Sequence, residues 1–287
     1  MESVMKGNRI ARLGRGLLVA AAVGLAGSTA ALAAGEVPHI EKQSWTFAGP
    51  FGKFDRGQLQ RGYKVYKEVC SACHSMKFVS FRNLAQPGGP EFTEEEAKAI
   101  AAEYKVKDGP NDEGEMFERP GRLSDRFPSP FANDAAARVA NGGALPPDLS
   151  LMAKARAAHR GFPWFLFDIF TQYQESGPDY IYALLNGYHE PPNGVTCAPG
   201  LNYNSAFLAG TCIAMSQPIQ DGQVEYTDGT PATLTNYAKD VSSFMMWAAE
   251  PKLEERKHTG FKAMAFLIVF AGLLWFTKRK VWADVAH

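Results

Sequence analysis

At 287 residues the chain is long enough for one or two domains with a real core, and 46% hydrophobic against 21% charged residues describes a globular protein rather than a disordered one. Thirty bases balance thirty acids, so no global charge points to nucleic acid.

The chain opens with a basic stretch (Lys6, Arg9, Arg12, Arg15), then LLVAAAVGLAG, then ALAA. This is the pattern of an export signal peptide over residues 1–34, cut after Ala33 or Ala34. A membrane-anchoring helix is the weaker reading, because small residues and a polar stretch follow the apolar run. Export puts the remainder where disulfides survive. Residues 1–34 hold four bases and one acid, a net +3, so a neutral chain leaves a body of −3. The acidity is concentrated: Glu91 to Asp125 carries eleven acids and five bases. A solvated surface explains that on its own; a docking face for a basic protein is the functional alternative.

The body, residues 35–250, reads as mainly helical with long loops. Asp55 caps a predicted helix through GQLQRGYKVYKEVCSACHS, with Leu59, Tyr63, Tyr66 and Val69 on its apolar face. QPGGP at 86–90 breaks the chain, and Thr93 with Glu96 reads as a capping box. Residues 108–150 are mostly loop. PDLSLMAKARAAHR predicts a helix, the aromatic FPWFLFDIFTQYQE follows, and DYIYALLNGY is a short helix closed by Gly187. Residues 190–222 are again loop-like. TPATLTNYAKDVSSFMMWAAEP predicts a helix with Pro231 at its start. No strand pattern is strong, and loops this long usually serve something buried.

Residues 251–287 form a predicted anchor. From Phe261 to Thr277 the only charge is Lys262, and seventeen residues span roughly 25 Å, slightly short of a bilayer core. Lys262 can snorkel, and Trp275 and Trp282 suit an interfacial belt. A buried soluble helix is the competing reading. Basic residues flank both ends, so the export signal sets the orientation: body outside, tail KRKVWADVAH in the cytoplasm.

The chemistry lies in Cys70-Ser-Ala-Cys73-His74. A structural zinc site needs four ligands, yet the other cysteines are only Cys197 and Cys212 and no His-x₃₋₅-His pair exists. A redox dithiol would open a helix after a strand, whereas this motif ends a helix. Cys-x-x-Cys-His is what a c-type haem needs: two thiols reach the two vinyl groups as thioethers, and the adjacent histidine reaches the iron. Gly62 and Tyr66, eight and four positions upstream, match the first helix of cytochrome c folds. The other axial ligand stays open among Met116, Met152, Met215, His159 and His189. Met215 lies in the loop GTCIAMSQPI. If Cys197 and Cys212 pair, they close a loop that holds it, a gain of about 3 kcal/mol in an entropic account.

Taken together, RGYKVYKEVCSACHSM, ANGGALPPDLS, DYIYALLNGYHEPP, the Met215 loop and DGTPATLTNYAKDVSSFMMWAAEPKLEERKHTG resemble the cytochrome c1 family, from about residue 43 to the C-terminus. The resemblance implies a cytochrome c-like haem domain plus one C-terminal transmembrane helix. It implies one haem c on Cys70 and Cys73, with His74 and Met215 as axial ligands. Asn141, Arg156 and Tyr180 match positions that meet the propionates, and Pro146 and Pro147 match residues that pack against the haem. Both axial positions are then filled, so the iron exchanges only electrons. The implied role is the haem subunit of the cytochrome bc1 complex, with cytochrome b and the Rieske iron–sulfur protein as partners and a c-type cytochrome as acceptor. The implied site is the periplasmic side of a bacterial inner membrane, and the chain alone is not an enzyme. The alternatives are a free-standing anchored cytochrome shuttle feeding an oxidase, and a haem enzyme with an open sixth position. Two features depart from the family pattern. The segment from about His159 to Ser176 is longer than shorter members require. The Cys197/Cys212 pair occurs in only part of the family, so the bridge is an expectation.

Overall fold

Helix α1, Arg56–Glu68, is capped by Asp55, whose carboxylate accepts from the Gln58 N–H at 2.8 Å. The computed structural model describes residues 38–157, 162–171 and 175–284; the signal-peptide region and His159 lie outside the described residues. From Ile40 onward the chain packs as one compact unit. Leu59, Tyr63 and Tyr66 are buried as their spacing predicts, with Gly62 and Val65 beside them. The helix stops at Glu68, earlier than predicted, and the Cys-x-x-Cys turn follows as a separate 3₁₀ turn, Cys70–Ala72.

The partner of α1 is α7, Leu234–Ala249, which is buried along most of its length. Thr233 caps α7, so the helix begins after Pro231 rather than at it. Gly62 sets the approach: a Cβ there would sit 2.2 Å from the Asp240 carbonyl oxygen and 2.7 Å from Phe244 Cβ. Only a residue without a side chain lets the two backbones come this close. Around the crossing, Tyr66 stacks on Phe127 with centroids 5.9 Å apart, and Phe127 packs on Phe81 at 4.9 Å. Arg61 on α1 clasps Asp240 on α7 (Nε–Oδ2 2.8 Å) and also pairs with Asp228.

The remaining elements hang on this pair. A 3₁₀ turn, Phe81–Ala85, leads to α2, Glu94–Ala102, opened by the reciprocal Thr93–Glu96 capping box. A hairpin missed by the sequence reading follows, β1 (Lys105–Asp108) antiparallel to β2 (Phe117–Pro120), with Lys105 opposite Pro120. Its strands are four residues long and largely exposed, so no alternating apolar pattern marks them. Helix α3 is Asp134–Ala140, and the predicted helix at PDLSLMAKARAAHR contracts to one turn, α4, Met152–Ala155. Helix α5 is Trp164–Thr171 and α6 is Ser176–Asn186, ending at Gly187. At the start of α6, a Cβ on Gly177 would lie 1.6 Å from the Ala153 carbonyl, so α6 rests backbone to backbone on α4. Two residue pairs, β3 (Asn202–Tyr203) and β4 (Cys212–Ile213), form a short antiparallel ladder.

Helix α8 runs from Leu253 to Val281, longer at both ends than the predicted apolar core. Its most apolar window has a mean hydropathy of 1.8 with none of it buried, long and apolar enough to cross a membrane. The first turn of α8 is fastened to the body. Glu254 takes two hydrogen bonds from the Arg56 guanidinium (2.8 and 2.9 Å) and one from the Phe54 N–H (2.9 Å). Lys257 donates to the Phe47 carbonyl at 2.6 Å.

Candidate functional site

The 3₁₀ turn after α1 is tight because the Cys73 and His74 N–H groups both close on the Cys70 carbonyl, at 3.2 and 2.9 Å. One turn of chain therefore carries both thiols and the imidazole. Cys70 and Cys73 are free thiols, not bonded to each other. Burial, reinforced by the neighbouring Cys73, pushes the Cys70 thiol up to about 12.

His74 Nδ1 lies 2.8 Å from the Pro147 carbonyl oxygen. A carbonyl only accepts, so Nδ1 carries the proton and Nε2 keeps its lone pair for a metal. Burial pulls the imidazole pKa below its ordinary value, against the opposing pull of the Pro147 carbonyl and Asp148, and keeps the ring neutral. The segment behind it is zipped to the Pro-Pro loop. The Leu149 N–H donates to the Ser75 carbonyl at 2.8 Å, and Asp148 accepts from Ser75 Oγ (2.8 Å) and the Lys77 N–H (3.0 Å). Phe78 N–H reaches Ser150 Oγ at 3.1 Å. Asp148 and Ser150 escaped the sequence reading, although Asp-x-Ser after a proline pair is a local turn signal: Asp148 accepts from the Ser150 N–H at 2.9 Å.

From this loop α4 leads to Arg156, its C-terminal cap. Arg156 acts electrostatically on Tyr180, a residue of α6 that is only 5% exposed. Burial raises the Tyr180 pKa, opposed by the Leu208 backbone and by Arg156. Tyr188, just past α6, feels Tyr180 in turn and donates its hydroxyl to the Met215 carbonyl at 3.1 Å. Asn202 reaches the same carbonyl at 3.4 Å. Tyr188 and Asn202 thus position the methionine loop, and nothing in their sequence context announces it. Cys197 and Cys212 are joined by a disulfide across the loop, fifteen residues apart in sequence, with Cα atoms 5.7 Å apart.

The other sulfurs have different surroundings. Met76, Met245 and Met246 are core residues, and Met152 packs against the core. Met116 stands 64% exposed ahead of β2. His189 is exposed, whereas Met215 is half-buried. Asn141 caps α3, and its amide donates to the Ala137 carbonyl at 2.7 Å. Pro146 is half-buried and Pro147 exposed beside His74. A cavity of about 640 Å³ adjoins the methionine loop, lined by Tyr188, His189, Cys197 and Asn202 among others. Its lining includes neither the thiols nor His74, so it is not the attachment site.

Among the described residues no three His, Cys, Asp or Glu side chains converge to hold a bare metal ion. Two free thiols on one turn followed by an imidazole with Nε2 available are the groups that covalent attachment of a haem c needs, and these residues fit that group.

Comparison with known proteins agrees. The Cytochrome C1 family matches residues 45–285. Cytochrome b/c1 of Bradyrhizobium diazoefficiens is 62% identical over 84% of this chain, which spans only 35% of that longer relative. Cytochrome c1 of Blastochloris viridis is 50% identical over 88% of both chains. A mitochondrial cytochrome c1 heme protein of Arabidopsis thaliana is 48% identical over 86% of this chain and 74% of its own. The chain belongs to the Cytochrome C1 family, whose members carry one covalently bound haem c as the electron-transferring subunit of the cytochrome bc1 complex and are not enzymes on their own.

Proposed function

We propose that this chain carries electrons from a Rieske iron–sulfur protein to a c-type cytochrome, beside a cytochrome b, on the periplasmic side of a bacterial inner membrane. The observation that carries the reading is the His74 Nδ1 bond to the Pro147 carbonyl, which orients the imidazole and leaves Nε2 as the nitrogen available to ligate. Cys70 and Cys73 would hold the haem as thioethers, and His74 and Met215 would take the two axial positions. When bound, the haem supplies one-electron oxidation and reduction with no open coordination site. The thioether of Met215 favours the ferrous state relative to a second nitrogen ligand. The Arg156 guanidinium and the Tyr180 hydroxyl suit the two propionates, by charge and by hydrogen bond. Asn141 and Pro146 are expected at the same edge. Helix α8 keeps the head at the membrane, with residues 1–34 as the export signal and KRKVWADVAH inside.

The name of the Bradyrhizobium relative joins b and c1 in one protein, which favours a cytochrome b neighbour over a free-standing shuttle. The acidic stretch narrows as an acceptor dock. Glu91, Glu94, Glu103, Asp108 and Asp125 each pair with a base, and Glu96 serves the α2 capping box. Asp112, Glu113 and Glu115 at the tip of the β1–β2 hairpin are the better candidates for a basic partner. Neutralising those three should weaken the ionic-strength dependence of electron delivery; an unchanged salt slope moves the dock elsewhere. Visible and near-infrared spectra of the oxidised and reduced protein test the ligand set. Ready binding of carbon monoxide by the reduced protein would instead indicate an open sixth position.

A further inference from the structure

We propose that α5 is a second membrane contact, an aromatic helix seated in the bilayer interface beside α8 that fixes the height and tilt of the head. The segment carrying α5 leaves and rejoins the body at the foot of the anchor. On the leaving side, Lys154 Nζ bonds Glu250 Oε2 at 2.5 Å, and Glu250 also pairs with Arg256 in the first turn of α8. On the returning side, Glu175 is 4% exposed and acts electrostatically on Lys257, the residue that follows Arg256 in α8. Lys257 stands four residues, about 6 Å along the helix axis, before Phe261, where the apolar span begins.

Between these two stems the chain presents apolar rings outward. Phe162 is 80%, Trp164 52% and Phe167 56% exposed, with Leu166 alongside. Trp164 and Phe167 form a ring pair with centroids 6.1 Å apart. Within α5 the only charge is Asp168. Another exposed aromatic of the body stands where the apolar span begins: Phe51 lies edge-on to Phe261 of α8, with centroids 5.8 Å apart. Exposed aromatic clusters of this kind mark contact surfaces. Here the bilayer is the occupant that α8 itself brings to the level of both stems. Tryptophan and phenylalanine on a short helix with little charge are suited to the headgroup–acyl boundary. The extra length of sequence around α5 then has a use, in membrane contact.

The inference rests on α8 spanning the membrane, and the test separates the two. In the haem-loaded full chain the four native cysteines are consumed by thioethers and the disulfide, so a nitroxide attaches only to an introduced cysteine. Phe167→Cys, with Glu95→Cys as an exposed control and Phe266→Cys as a span control, is placed in phosphatidylcholine nanodiscs. Relaxation by oxygen is compared with relaxation by a water-soluble nickel chelate. At position 167 oxygen should be the stronger relaxant, giving a depth between those of the two controls, and Phe162→Cys should repeat the result. A chelate response at 167 and 162 equal to that at 95 overturns the proposal, as does protection from both reagents, which would mean a protein cover. If Phe266→Cys also responds to the chelate, the anchor reading fails together with it.

Discussion

The α1–α7 crossing and the loop that carries Met215 are built on opposite principles. The crossing is backbone against backbone at Gly62, walled by Tyr63, Tyr66, Phe244 and Trp247, all at most 3% exposed. The Met215 loop holds a half-buried side chain with one disulfide and two hydrogen bonds to a single carbonyl. The first region derives its stability from apolar area removed from water, the second from covalent closure of a segment that buries little. Cys70, Cys73 and His74 follow directly on the first region, whereas Met215 belongs to the second.

The largest expected effect lies at the crossing. Phe244→Ala removes a ring in contact with Tyr63, Tyr66 and Trp247 (centroids 5.8, 5.9 and 5.3 Å away) and should cost about 3–5 kcal/mol. Denaturation of the haem-loaded protein in detergent would show helical signal and haem absorbance falling together at a lower midpoint. Opening the bridge with Cys197→Ser and Cys212→Ser should cost about 3 kcal/mol, but locally. On warming, the long-wavelength sulfur-to-iron absorption should fade before the helical signal does. Simultaneous loss would show that the two regions are one cooperative unit and break the comparison.

Met215→Leu sharpens it further. The volume is nearly conserved, so the packing cost should stay below about 1.5 kcal/mol, while the sulfur-to-iron band disappears and the haem stays attached. A persisting band would assign the ligand to another side chain. The smallest effect concerns the foot of the anchor. Burial alone would raise the Glu254 pKa, yet the Arg56 hydrogen bonds and the Phe54 N–H hold it below the usual glutamate value. A carboxylate depressed in the folded state stabilises above its unfolded pKa of about 4.3, and that contribution is lost as pH falls through the lower folded value. Melting temperatures measured from neutral pH downward should therefore decline less steeply for Glu254→Gln than for the parent, and parallel declines would remove Glu254 from the account.

Local rules made much of this protein legible. The caps at Asp55 and Thr93, the apolar face of α1 and the span within α8 are encoded within a few residues of where they act. Prediction fell short where a long-range contact overrides propensity. The Ala-rich stretch after Leu151 shrinks to the single turn of α4, whose Ala153 carbonyl lies against Gly177 of α6. The β1–β2 hairpin is too short and too polar to leave a period-two signal.

By itself the sequence determined the attachment chemistry, because Cys-x-x-Cys-His is a contiguous motif whose spacing suits one porphyrin edge. Only the tertiary structure decided how the histidine is oriented, since its Nδ1 partner is the carbonyl of Pro147, 73 residues away. Likewise, only the fold brought Tyr188 to the Met215 carbonyl and tied the ends of the α5 segment to the foot of α8. Hydrogen-bond partners distant in sequence leave no local pattern; they exist only once the apolar core has chosen which backbones meet.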